Sequence, residues 1–189
     1  MSPISSSKIL SVALLAALTA TSTPLPQAGS SSDGIETTHL APFYLVTTTQ
    51  STSSSNSSLL ANVSATSLFD PYYQTNYLLR LIDPGYLSLP TFNLTSGTLH
   101  TAASGPHNIG PEQQYNSTFV EAGSELQFAP SVQTKGNVGL WEGYLVTVGG
   151  SCEGWTICDG ELGQVVIEWE GVDASCHKTF LQAVGTPPY

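Results

Sequence analysis

Beyond residue 37 the chain is written in short runs of apolar and β-branched residues separated by turn formers. Residues 43–48 read FYLVTT and 76–82 read NYLLRLI, the latter closed by Asp83-Pro84-Gly85. Residues 91–101 predict a hairpin turning at Ser96-Gly97, because a polar residue followed by glycine between alternating strands suits a two-residue turn. Residues 115–129 predict another at Ala122-Gly123, and 139–149 a third at Glu142-Gly143. The segments 163–171 and 178–184 complete the set of strands. No stretch sustains a 3.6-residue apolar period with caps. Residues 59–69, LLANVSATSLF, are the best candidate for a short helix.

This pattern predicts an all-β domain, a compact antiparallel β-barrel. A motif with a turn glycine two residues before a leucine recurs at 92–99, 138–145 and 155–162. The recurrence favours a β-trefoil-like barrel over a β-sandwich. The domain is expected to occupy 37–189, after a signal peptide at 1–22 and a disordered lead-in at 23–36. The leader has Lys8, an apolar run from Ile9 to Ala17 and a small-x-small site at Ala20 and Ser22. That run is too short to cross a bilayer, which takes roughly 20 apolar residues. The final AVGTPPY lacks the hydrophobic segment of a lipid-anchor signal.

Residues 150–171, GSCEGWTICDGELGQVVIEWEG, concentrate the unusual residues. Alternation puts Val165, Ile167 and Trp169 on one face, expected to be the core, and Val166, Glu168 and Glu170 on the wet side. Trp155 and Ile157 alternate likewise with Thr156 and Cys158, before a turn at Asp159-Gly160. The three cysteines, Cys152, Cys158 and Cys176, are expected to include one disulfide. Cys158–Cys176 would join the start and the end of the strand at 163–171. Cys152–Cys158 would close only a small loop. There is no C-x-x-C pair, and His177 beside Cys176 is an awkward ligand, so no metal is expected. The acids Glu153, Asp159, Glu161, Glu168, Glu170 and Asp173 lack calcium-loop spacing and read as a solvated rim.

The whole chain carries 14 acids against four lysines and arginines. Removing Lys8 with the leader makes the balance more negative still. Such a chain is repelled by nucleic acid and anionic lipid, so neither is an expected partner. Four sequons, at Asn56, Asn62, Asn93 and Asn116, match a secreted glycoprotein. Residues 47–58 hold ten serines or threonines in twelve positions and read as a flexible, O-glycosylated loop.

The motifs FYLVTT, SLFDPYY, LLR, GTLHT and GWTICDG resemble those of a group of small secreted fungal proteins, over residues 42–189. More distantly, their order is similar to that of fungal cell-wall glycoproteins, of the phialide-associated type and in the carboxyl-terminal domain of internal-repeat wall proteins. The resemblance implies a wall-associated or extracellular glycoprotein without catalysis. It also implies that Cys158 pairs with Cys176 and that Cys152 is the free thiol. The glutamine-containing repeats used for covalent wall attachment are absent, so that linkage does not carry over.

For catalysis, no G-x-S-x-G elbow is present. His39, His100, His107 and His177 are scattered. His100 and His107 flank a loop where they would serve as a base or meet a metal, but a loop histidine without a named partner reads as polar surface. Arg80 in its apolar strand reads as an internal ion-pair partner. No enzyme and no cofactor is expected. For binding, Tyr72, Tyr73 and Trp141 are the candidate aromatic faces for sugar, with Tyr144 and Trp155 as further options. The expected function is a secreted, structural glycoprotein whose partners are wall polysaccharide or extracellular protein. The rivals are a carbohydrate- or protein-binding module, inhibitor- or effector-like, and a hydrolase with an unrecognised site.

Overall fold

A computed structural model describes residues 42–71, 75–85, 89–105 and 109–189. The leader, the lead-in, His39, Tyr72, Tyr73 and His107 lie outside the described residues.

The hairpin written FNLTSGTL shows how local sequence becomes structure. Strand β4 (Phe92–Thr95) buries Phe92 and Leu94 and exposes Asn93 and Thr95. Strand β5 (Thr98–Ala103) returns beside it, with Leu94 opposite Leu99. Ser96 and Gly97 connect them with φ of 50° and 77°. Positive φ at both central residues matches the right-handed twist of the flanking strands.

The remaining strands are β1 (Tyr44–Thr48), β2 (Ser64–Phe69), β3 (Tyr77–Leu81), β6 (Gln113–Ser117), β7 (Ser124–Glu125) and β8 (Gln127–Ala129). They are followed by β9 (Val138–Trp141), β10 (Leu145–Val148), β11 (Trp155–Asp159), β12 (Val165–Trp169), β13 (His177–Lys178) and β14 (Phe180–Val184). Among the described residues, these strands pair antiparallel. The main path runs β4-β5-β6-β8-β3-β2-β1-β14-β10-β9, and β12 branches from β3 to carry β11, β7 and β13.

Two contacts nearly close this sheet into a barrel. Phe43, just before β1, exchanges both backbone hydrogen bonds with Phe92 at 3.0 and 2.8 Å. The Val138 N–H donates to Gly97 O at 3.0 Å. Beside it, a Cβ on Gly136 would lie 1.8 Å from Gly97 O, so only glycine lets these backbones meet.

The interior is apolar and aromatic, from Phe43 and the β1 residue Leu45 to Leu181 and Ala183 on β14. Trp155 and Trp169 meet edge to face at 5.1 Å, and Tyr77 and Tyr115 at 4.8 Å. Each such pair adds about 0.5–1.5 kcal/mol to the burial of its rings. Trp155 is fully buried, and its indole N–H donates to Val146 O at 2.8 Å. The sugar-facing option for Trp155 is thereby overturned.

Other local expectations are corrected. Residues 64–69 form a strand rather than part of a helix; the only helical turn there is a short 3-10 segment at Ser57–Leu59. β2 satisfies its backbone against β1 and β3, and that pairing overrides weak helix propensity. The 115–129 segment is no simple hairpin. β6 pairs with β8, while β7 turns aside to β12 and the Gly123 N–H donates to Trp169 O at 2.7 Å. Between β11 and β12 the positive-φ pair is Leu162 and Gly163 (61° and 68°), not Asp159-Gly160. Gly160 is required for space instead, since a Cβ there would meet Val166 at 2.7 Å.

The Ser/Thr tract is more than polar surface. Thr47 and Thr48 belong to β1 and are buried, as is Ser57. Gln182 of β14, also buried, donates to Gln50 O and Thr52 O at 3.2 and 3.1 Å and accepts from the Ser54 N–H at 3.2 Å. Beneath the same loop, Val46, Leu60 and Val184 form a second small apolar cluster.

Candidate functional site

The segment 150–171 folds into β11, β12 and the turns around them. On the inner face, Trp155, Ile167 and Trp169 enter the core with Ile157 packed against them. Val165 does not: it is half-buried, and it is Val166 that is fully covered, on the outer face. Both faces of β12 are therefore partly occupied, because Val166 lies between Cys158 on β11 and Arg80 on β3. Arg80 lies over the Phe69 ring at 5.5 Å and donates to Gln164 Oε1.

Cys158 and Cys176 form a disulfide, and Cys152 is free and half-buried. The bridge joins β11 to the loop entering β13.

The outer face carries a row of side chains in register across four strands: Lys178, Thr156, Glu168 and Glu125. Thr156 Oγ1 donates to Glu168 O at 3.1 Å and accepts from the Gly171 N–H at 3.2 Å. The Glu168 carboxylate and both sulfurs lie within 4.8 Å of one another. A Cβ on Gly171 would come to 2.7 Å from Glu168 Oε2 and from Cys158 Sγ, so glycine permits this packing. The expectation that Glu168 simply faces water is corrected: it is half-buried against the disulfide. Burial raises its pKa above the ordinary value of 4.5, and Asp173 adds to the rise. Glu125 is raised too, by burial and then by the negative charges of Glu168 and Glu161.

These donors do not hold a metal in the oxidised protein. The sulfurs are bonded to each other, and thiolates are the metal-binding form of cysteine. Glu168 and Glu125 stand opposite each other in register, and the negative charge of Glu168 disfavours ionisation of Glu125.

Beside this row lies an open groove of about 380 Å³. Its walls are Ser151, Glu153 and Gly154 before β11, Thr156 and Lys178 on the strands, and Glu170 and Gly171 after β12. Two carboxylates, one ammonium and a serine hydroxyl give it hydrogen-bonding capacity for a polar ligand. Glu170 has a φ of 50°, and its N–H donates to Gly154 O at 2.6 Å, which ties the two lining segments together.

The other candidate residues lie apart from the groove. His100 places Nδ1 2.6 Å from Asn116 Oδ1. His177 is exposed on β13. Trp141 is 52% exposed at the β9–β10 turn, and Tyr144 is half-buried. Of the sequons, Asn56, Asn62 and Asn93 are exposed and Asn116 is buried. The groove and the Glu125–Glu168 pair were not singled out in the sequence, since a row in register becomes visible only once the strand pairing is known.

No protein-family model, curated protein or solved structure matches the chain.

Proposed function

We propose that this protein is an extracellular acidic glycoprotein with a structural, non-catalytic role, associated with the cell wall. The observation that carries this reading is the use made of GWTICDG. Gly154 admits the Trp169 ring, Trp155 fills the core, Cys158 forms the disulfide and Gly160 makes room for Val166. The motif behind the wall-glycoprotein resemblance is thus spent on architecture rather than on reactive groups. The disulfide supports an oxidising compartment, where such bonds persist. The excess of acids over bases suits an acidic exterior, where carboxylates are nearer their ordinary titration range.

Fractionation of the native culture tests this. The protein is expected in the salt-, detergent- or glucanase-released wall. Recovery only from the medium would remove the wall role.

A second reading, carbohydrate binding, is favoured by Trp141, whose ring stands exposed at a turn. Retention on insoluble chitin or β-glucan, lost in Trp141→Ala, would support it. Failure to be retained on either polymer would count against it.

A further inference from the structure

The four sequons are equivalent in sequence, but the fold separates one from the others. Asn56 is exposed, and its Oδ1 accepts from the N–H and the hydroxyl of Ser58, the third sequon residue, at 3.0 and 2.8 Å. Asn62 is exposed in the loop before β2, its Nδ2 at the surface 3.1 Å from Thr49 Oγ1. Asn93 projects outward from β4 between the buried Phe92 and Leu94.

Asn116 is 5% exposed and committed on both sides of its amide. Its Oδ1 accepts from Gln114 Nε2 at 3.0 Å and lies 2.6 Å from His100 Nδ1. Its Nδ2 donates to Ser131 O at 3.0 Å. The next residue, Ser117, is fully buried and accepts the Leu99 N–H through its hydroxyl at 2.9 Å. Asn116 also stands in the β5–β6–β8 ladder, opposite His100 on one side and Ala129 on the other.

We propose that N-glycosylation of this chain is selective: Asn56, Asn62 and Asn93 carry glycans, and Asn116 does not. The inference rests on the secretory reading above. The donor is a lipid-linked oligosaccharide diphosphate. Asparagine Nδ2 forms a bond to the anomeric carbon, the bond from that carbon to the phosphate oxygen breaks, and the lipid diphosphate leaves with the electron pair. Nδ2 gives one proton to a base. A glycan is bulky and belongs at the surface. At Asn116 it would occupy the place of the hydrogen bond to Ser131 and displace the segment after β8 that covers this side chain. Chains modified there are lost from the folded pool. In the folded protein Asn116 instead joins His100 and Gln114 in a polar cluster.

The test is expression of the full chain in a eukaryotic secretory host, once with its own leader and once with an unrelated, proven one. Secreted protein is treated with peptide-N-glycosidase in ¹⁸O-water and mapped by mass spectrometry. Label is expected at Asn56, Asn62 and Asn93 and not at Asn116. Thr118→Ala should leave gel mobility unchanged, whereas Ser58→Ala, Ser64→Ala and Thr95→Ala should each remove one glycan step. Label at Asn116 in the folded, secreted protein overturns the inference, as does an unlabelled exposed sequon. Secretion only from the unrelated leader, with the expected label pattern, supports the inference while overturning the secretory reading.

Discussion

Gly154 lies flat against the indole of Trp169, so that a Cβ added to it would stand 2.5 Å from Cζ2. The contact joins the start of β11 to the end of β12, beside the groove. Gly154→Ala should destabilise by about 1–3 kcal/mol through overpacking. Urea unfolding measures it. Trp169→Phe in the same chain should recover part of the loss, a non-additive result expected of residues in contact.

Gln182 holds the Ser/Thr-rich loop from within β14. Gln182→Ala would leave the Gln50 and Thr52 carbonyls and the Ser54 N–H without their side-chain partner. A cost of about 1–3 kcal/mol is expected. Limited proteolysis should cut the 49–56 loop faster than in the native chain, and an unchanged cleavage rate would show that the loop is held by other means.

The Cys158–Cys176 bridge spans a sequence separation of 18. Restricting the unfolded chain over a loop of that size contributes about 3 kcal/mol. Cys158→Ser with Cys176→Ser should lower the melting temperature, and reductant should then have no further effect on the variant. Cys152→Ser alone should change stability little.

Glu168 and Glu125 give stability a pH dependence of defined sign. Both carboxyls are raised on folding, so the folded chain binds their protons more tightly than the unfolded chain. Their contribution is fully present below the ordinary value of 4.5 and is lost as pH rises through the folded values. Glu125→Gln should therefore raise stability at neutral pH relative to the native chain and give no gain in acid. Denaturation midpoints at pH 3.5 and 7 test this; a native chain more stable at pH 7 because of these groups would reverse the sign.

The strands and their local turns could be read directly from residue order. The Ser96-Gly97 and Glu142-Gly143 turns fall where expected, with positive φ at all four residues. Turn chemistry and the two-residue alternation act over a few neighbours, so no distant contact is needed to recognise them. The placement of Trp155, Ile167 and Trp169 in the core follows from the same alternation.

Where the expectations erred, a distant segment intervened. Residues 64–69 became β2 because β1 and β3 were there to pair with it. Leu162 took a left-handed conformation, unfavourable for an L-residue by roughly 1–2 kcal/mol, because the β11–β12 register places it at the turn. Val166 was buried by Cys158 and Arg80, brought together from separate strands. Residue order by itself determined the all-β class and several strand faces, since these depend on backbone sterics and local burial. The Cys158–Cys176 bridge is the pairing expected from the resemblance, whereas only the tertiary structure decided which sequon is covered and which carboxylates stand opposite each other, because both depend on pairing between strands remote in the chain.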